Sequence, residues 1–147
     1  MRKICVVITA RTSYTKIKPI LYHLNKKKSI KLQIVLAASA VLDKYGKVDD
    51  IVKKDGFPVD EKIYMLIESE SLLNTSKSTG IGIIEFSSAF NRLKPDLVLV
   101  MADRFEVISA AISAAYQNIP LAHIQGGEVS GNIDEKVRHA ISKLADY

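Results

Sequence analysis

The chain predicts an α/β fold of the Rossmann-like kind, a parallel sheet with helices on both faces, and three observations carry that prediction. Apolar, β-branched runs recur at residues 3–9, 32–36, 96–101 and 121–124. They are short and nearly unbroken in hydrophobicity, as strands buried on both faces of a parallel sheet require. Segments of helical period separate them, and alternation of strand and helix is the sequence form of right-handed βαβ units. Charged and glycine-rich stretches follow the strands directly, most densely over residues 119–139, IPLAHIQGGEVSGNIDEKVRH. Charged groups crowded after a buried strand are costly for stability, so a site is expected there.

Taken in order, the first strand at 3–9 leads into a helix that Ser13 or Thr15 can cap and that runs through Asn25, provided Pro19 falls in about the first turn. After the strand at 32–36, residues 41–54 read as a second helix, weakened by Gly46 and stopped by Gly56 ahead of Pro58. A further strand is expected at 61–66, and the Ser-, Glu- and Asn-rich stretch 68–78 is the best candidate for a mobile loop. Ile81, Ile84, Phe86 and Phe90 give 75–93 a helical face, which Lys94-Pro95 ends. Helices at 105–117 and 134–144 flank the last strand, and the chain halts at Tyr147 directly after a helix, which hints at a missing remainder.

Composition narrows the function. A chain of 147 residues with 48% apolar and 25% charged content suits one globular domain over 1–147. Its single cysteine, Cys5, sits inside an apolar run and reads as packing, so no disulfide framework is expected and a reducing cytoplasm fits best. Residues 1–10 read as a strand rather than a signal peptide, and no segment is apolar for long enough to span a bilayer. The net charge of +5 is modest, and its densest run, Lys26 to Lys28, falls at a helix end where cations favour the helix dipole. Without interleaved aromatics or a groove-reading motif, nucleic acid is not the expected partner. A positive field suits an anionic small ligand such as a nucleotide phosphate.

In parallel sheets ligands gather beyond the carboxyl ends of the strands, and four clusters fall there. In Ala10-Arg11-Thr12-Ser13, Arg11 and helix-terminal amides can hold a phosphate or a sugar hydroxyl, or Arg11 is a solvated neighbour of a cap. Residues 37–40, including Ser39, are small enough to admit a ligand or simply to pack. Asp103-Arg104-Phe105-Glu106 can place an acid at a strand end, or form a capping pattern with Asp103 at the cap and Glu106 third in the helix. The fourth cluster is the richest: Gln125-Gly126-Gly127 make a turn that presents Glu128, then Asp134 opens a helix with Arg138 and His139 about one turn in. Asp134 as a plain cap and His139 as a core histidine are the bland alternatives.

His123, Glu128, Asp134 and His139 match no usual zinc spacing, so no metal is expected. No serine sits in a Gly-x-Ser-x-Gly elbow, and no Gly-x-Gly-x-x-Gly or Walker A sequence occurs, so neither a serine nucleophile, a dinucleotide cofactor nor a P-loop is expected.

These motifs, in this order, resemble the hydrolysing UDP-N-acetylglucosamine 2-epimerases of sialic-acid and related nonulosonic-acid synthesis, the legionaminic-acid type included. The resemblance rests on Arg11 with Ser13-Tyr14-Thr15-Lys16 and Pro19-Ile20, Asp43-Lys44-Tyr45-Gly46, Asn91 to Asp96, Asp103-Arg104-Phe105-Glu106, His123 to Gly131, and Ile133-Asp134-Glu135 through Arg138-His139-Ala140-Ile141. It covers nearly the whole chain, and the His123 to Gly131 motif is the most specific. It implies the first half of a glycosyltransferase-B-type enzyme, with the second, UDP-holding domain absent from 1–147. The implied reaction eliminates UDP across C1 and C2 of the sugar to a glycal, then adds water to give N-acetylmannosamine, with no cofactor. The implied catalytic acids are Asp103 and Asp134, joined by Glu128; Arg11, Ser13, Ser39, Arg104, His123, Gln125, Arg138 and His139 are expected to contact substrate.

The sequence also departs from that family. An acid is common where Gln125 stands, and an amide cannot accept a proton as a base, which shifts that part to Glu128. Ala40 replaces a usual His and Ala102 a usual Gly. The competing readings are a non-hydrolysing epimerase or glycosyltransferase on the same scaffold, and a non-catalytic sugar-nucleotide-binding domain. The resemblance further implies a UDP-HexNAc partner and a homo-oligomer at full length.

Overall fold

Side-chain alternation along each strand sorts the interior into two layers, one on either side of the sheet. The structure, a computed structural model, describes residues 1–101 and 104–147. Its elements are β1 (Arg2–Ile8), α1 (Arg11–Lys26), β2 (Ile30–Ala37), α2 (Val48–Lys54), β3 (Glu61–Ile63), α3 (Leu72–Leu93), β4 (Leu97–Met101), α4 (Val107–Tyr116), β5 (Leu121–Ile124) and α5 (Ile133–Leu144). Cys5, Val7, Val35, Val98 and Val100 face α3, α4 and α5 through Phe86, Phe90, Ala110, Ala114 and Ile141. Val6, Ile8, Ile34, Leu36 and Leu99 face α1 and α2 through Tyr14, Ile17, Leu21, Val48 and Val52. With both faces covered, every strand position can be apolar, which is why the runs do not alternate with polar residues.

All strand pairs are parallel, in the order β3-β2-β1-β4-β5. The chain winds outward from β1 to β3, and α3 then carries it back across to β4 on the other side of β1. The direction of winding therefore reverses between β1 and β4, and open α/β sheets bind their ligands beyond the carboxyl ends of the strands at such a reversal. The Rossmann-like sheet with helices on both faces is as the sequence predicts. Cys5 is fully buried in it.

Several local expectations are corrected. α1 starts at Arg11 with Ala10 as its cap residue, so neither Ser13 nor Thr15 caps it, and Pro19 lies well inside the helix rather than in its first turn. Pro19 and Thr15, whose carbonyl an N–H at 19 would have served, both lie on the exposed side of the helix. Residues 41–54 are not one helix: two 3-10 turns, Ala38–Val41 and Asp43–Tyr45, precede Gly46 at φ 107°, and only Val48–Lys54 is α-helical. A left-handed residue ends a helical run, and glycine adopts that conformation without strain. The third strand stops at Ile63, short of residue 66. Most of 68–78 is helix, since α3 begins at Leu72. α4 begins at Val107 with Glu106 at its cap position, two residues later than the expected start at 105, so Glu106 is not a third helical residue. Residues after α5 run beside β5, where Asp146 N donates to Leu121 O at 2.8 Å and His123 N to Tyr147 O at 3.0 Å.

Candidate functional site

Because the strands are parallel, the segments that follow β1, β2, β4 and β5 all emerge at one edge, and the four sequence clusters lie on it. Asp103 lies outside the described residues.

After β1, Arg11 is the first residue of α1 and is exposed. Its side chain lies across Gly46: a Cβ there would come within 3.0 Å of Arg11 Nη1 and 3.3 Å of Cδ. The turn after β2 thus uses glycine both for its left-handed backbone and for this contact. Ser13 is buried, and its Oγ has no hydrogen-bond partner among the described residues. Ser39 spends its hydroxyl proton on Thr9 O at 2.9 Å, and Ala40 N donates to the same carbonyl at 3.1 Å. These bonds tie the β2 turn to the end of β1.

After β4, Arg104 Nε donates to Glu106 Oε1 at 2.8 Å. Glu106 is 0% exposed, and its Oε2 has no hydrogen-bond partner among the described residues. Burial pushes its carboxyl above the ordinary glutamate value, Arg104 draws it back down, and the charge of Asp134 adds to the upward push. The field of Asp134 thus reaches the buried carboxyl from the start of α5. Sequence reasoning gave Glu106 a capping role only; a buried acid is not visible from a capping pattern.

After β5, Gln125 takes a left-handed backbone at φ 65°. Its Nε2 donates to Glu128 Oε1 at 2.8 Å, and Arg138 Nη1 donates to the Glu128 carbonyl oxygen at 2.7 Å. Arg138 is 4% exposed and one helical turn beyond Asp134, on the same face of α5. Asp134 is not the cap: Asn132 Oδ1 accepts from Asp134 N at 3.0 Å and Glu135 N at 3.3 Å. Glu135 reaches back to Ser130 N and Gly131 N. The spacing Asn132-Ile133-Asp134-Glu135 is a capping-box signal that was legible in the sequence, and it leaves the Asp134 carboxylate out of the capping.

His123 Nδ1 lies 2.8 Å from Ser142 Oγ while Nε2 is buried without a partner. Burial, then the charge of Arg138, lowers its pKa. Gly126 lets the turn pass this ring, since a Cβ there would meet Ser142 Oγ at 2.5 Å. His139 is set apart. It is exposed and lines a shallow hollow of about 530 Å³ with Asn132, Glu135 and Lys136, whereas the neighbouring Arg138 turns inward.

Buried polar side-chain atoms without partners concentrate here. Among the described residues they are Thr9 Oγ1, Ser13 Oγ, Glu106 Oε2, His123 Nε2 and Gln125 Oε1 at this edge, against Gln33 Oε1 and Asp49 Oδ1 elsewhere. Each such atom costs stability unless something supplies its hydrogen bond, so their clustering makes this edge the candidate docking place for a polar ligand. Arginines alternate with carboxylates along the same edge, an arrangement able to hold an anion while stabilising positive charge nearby. No group of three or more His, Cys, Asp or Glu side chains converges among the described residues. None of the described helices is long and apolar enough to cross a membrane.

The family model for UDP-N-acetylglucosamine 2-epimerase matches residues 22–147. The chain belongs to this family. It is 35% identical over 147 residues to the UDP-N,N'-diacetylbacillosamine 2-epimerase (hydrolyzing) of Legionella pneumophila, covering 100% of this chain and 39% of that one. It is 32% identical over 145 residues to the GDP/UDP-N,N'-diacetylbacillosamine 2-epimerase (hydrolyzing) of Campylobacter jejuni, covering 98% and 38%. The crystal structure of the Neisseria meningitidis UDP-GlcNAc 2-epimerase bound to UDP-GlcNAc superposes with a TM-score of 0.84 at 23% identity, over 99% of this chain and 39% of that one. The fold of this epimerase-family chain is thus the Rossmann-like N-terminal domain of the glycosyltransferase-B type, and the chain spans about two-fifths of the length of the curated relatives it matches.

Proposed function

We propose that the protein is a hydrolysing UDP-N-acetylhexosamine 2-epimerase, acting on UDP-GlcNAc or a relative such as UDP-diacetylbacillosamine, with residues 1–147 as its first domain and a second domain holding most of the UDP. One observation carries this reading: Glu128, gripped by Gln125 and Arg138, shares an edge with the buried carboxyl of Glu106 and with Asp134 in the first turn of α5. Identity above 30% to two relatives named as hydrolysing epimerases supports it.

In the proposed reaction the C1–O bond breaks first and its electron pair leaves with UDP. The sugar is left with oxocarbenium-like positive charge, which the carboxylates stabilise. The C2–H electrons then close a C1=C2 bond while Glu128 takes the proton, giving the glycal. Addition of water returns a proton to C2 from the other face and puts a hydroxyl on C1, with Asp103 and Asp134 as the remaining acid–base pair. Arg11 holds the diphosphate as UDP departs. Ser13, Ser39, Arg104, His123, Gln125, Arg138 and His139 are proposed contacts or supports of the substrate. Ser39 acts through the Thr9 carbonyl, and His139 reaches a ligand only from the outer side of α5. Neither metal nor cofactor takes part, and the enzyme works as a cytoplasmic homo-oligomer.

Incubating the full-length protein with each UDP-HexNAc in deuterated water tests the proposal. Release of UDP with an N-acetylmannosamine-type sugar deuterated at C2 is expected, and residues 1–147 alone should be nearly inactive because water floods a half-built cleft. Epimerised sugar still attached to UDP would replace this reading with a non-hydrolysing one, and absence of UDP release from every UDP-HexNAc would refute it.

A further inference from the structure

We propose that Gln125 is a positioning and selecting residue: its amide N–H holds the Glu128 carboxylate in place, and its carbonyl oxygen receives an N–H or O–H of the sugar ring. The inference rests on the epimerase reading above and concerns how the site recognises the reacting sugar.

The geometry assigns the two ends of the amide. Nε2 is the only end that can donate, and it lies 2.8 Å from Glu128 Oε1, so Oε1 of Gln125 points the other way. That oxygen is buried and has no donor among the described residues. A carbonyl left so costs stability in the free protein and gains affinity when a ligand supplies the donor. The backbone supports a purpose. Gln125 adopts φ 65°, a conformation uncommon for a residue with a side chain, immediately after β5, and the turn beyond it is closed by Arg138 on the carbonyl of Glu128. Glu128 is thereby held at its backbone by one residue and at its carboxylate by another, although the side chain is otherwise exposed.

A donor that reaches Gln125 Oε1 is separated from the carboxylate that Nε2 holds by one amide group and its two hydrogen bonds. If Glu128 takes the C2 proton, this donor belongs to the same ring, as a hydroxyl or the acetamido N–H, and not to UDP. Gln125 itself gives up no proton, since its N–H hydrogen bond persists while Glu128 changes charge.

The test uses the full-length protein with Gln125→Gly, which keeps the left-handed backbone and deletes the amide, and Gln125→Asn, which keeps backbone and amide but withdraws the amide by one methylene. Each is made alone and combined with Glu128→Gln. Loss of a hydrogen bond to a charged group predicts a fall in kcat of about tenfold or more for either single variant. No further fall is expected when either is added to Glu128→Gln, because both changes remove the same unit. In the slowed Glu128→Gln background, Gln125→Gly should raise Kd for UDP-GlcNAc about tenfold and leave Kd for UDP unchanged. Additive kcat losses, or equal weakening toward UDP and UDP-GlcNAc, would overturn the inference while leaving the epimerase reading intact. An unmutated protein that releases no UDP would overturn the epimerase reading and the positioning role together, whereas the binding comparison would still judge the carbonyl's role.

Discussion

Arg138 reaches back from α5 to the turn that precedes its own helix, and its Nη1 donates to the carbonyl oxygen of Glu128 at 2.7 Å. The arginine is 4% exposed, so its charge is kept inside the protein by contacts of this kind. One buried side chain thereby sets where the exposed Glu128 stands.

Replacing Arg138 with Met keeps the bulk and deletes the donor. The expected cost is about 2 kcal/mol, from the loss of a charge-assisted hydrogen bond. It would be read from the denaturant midpoint, with faster amide exchange over residues 125–131. Unchanged exchange in that turn would show that Arg138 does not hold it.

Gly46 has φ 107° and touches the Arg11 side chain. Gly46→Ala strains the backbone and pushes the guanidinium aside, at an expected cost of about 1–2 kcal/mol. Calorimetric titration of the full-length protein should show weaker UDP-GlcNAc binding, with Arg11→Ala adding little on top. Two independent losses of affinity would separate Arg11 from this turn.

α3 and α4 touch at Gly82, where a Cβ would come within 2.5 Å of Met65 Cε and 2.8 Å of Ser109 Cβ. Serines stitch the same seam, with Ser109 Oγ donating to Thr79 O at 2.9 Å and Ser113 Oγ to Ile83 O at 3.1 Å. Gly82→Ala cannot be absorbed without parting the helices, so a loss of about 1–3 kcal/mol is expected in urea unfolding. A gain in stability, as helix propensity alone would give, would contradict the packing.

Glu106 has a folded-state pKa raised chiefly by burial. Between the ordinary glutamate value of about 4.3 and that raised value, the folded protein binds more protons than the unfolded chain, so stability falls as pH rises through this window. Glu106→Gln removes the titration. The variant should therefore gain stability relative to the unmodified protein across the window, and a flat difference between the two unfolding curves would show that Glu106 ionises normally.

The strands and their parallel pairing were foreshadowed because burial on both faces demands unbroken apolar runs, and residues 3–9, 32–36, 96–101 and 121–124 supply them. The ends of helices were read less well. Pro19 and Gly46 act through exposure and backbone angle, which depend on neighbours that a local pattern does not contain. Candidate site residues were found where charge followed a strand, because that pattern is local and costly.

How those residues divide their work is another matter. Asn132 caps α5 in place of Asp134, Glu106 is buried and paired with Arg104, His139 faces outward while Arg138 faces inward, and Gln125 grips Glu128. The chain's own order of residues settled the fold class and the sheet edge on which the candidate site residues gather, since periodicity and local charge are written along it. The partner of each side chain was settled by folding alone: burial and hydrogen bonding join groups far apart in the chain, and their energies exist only once the strands and helices have been brought side by side.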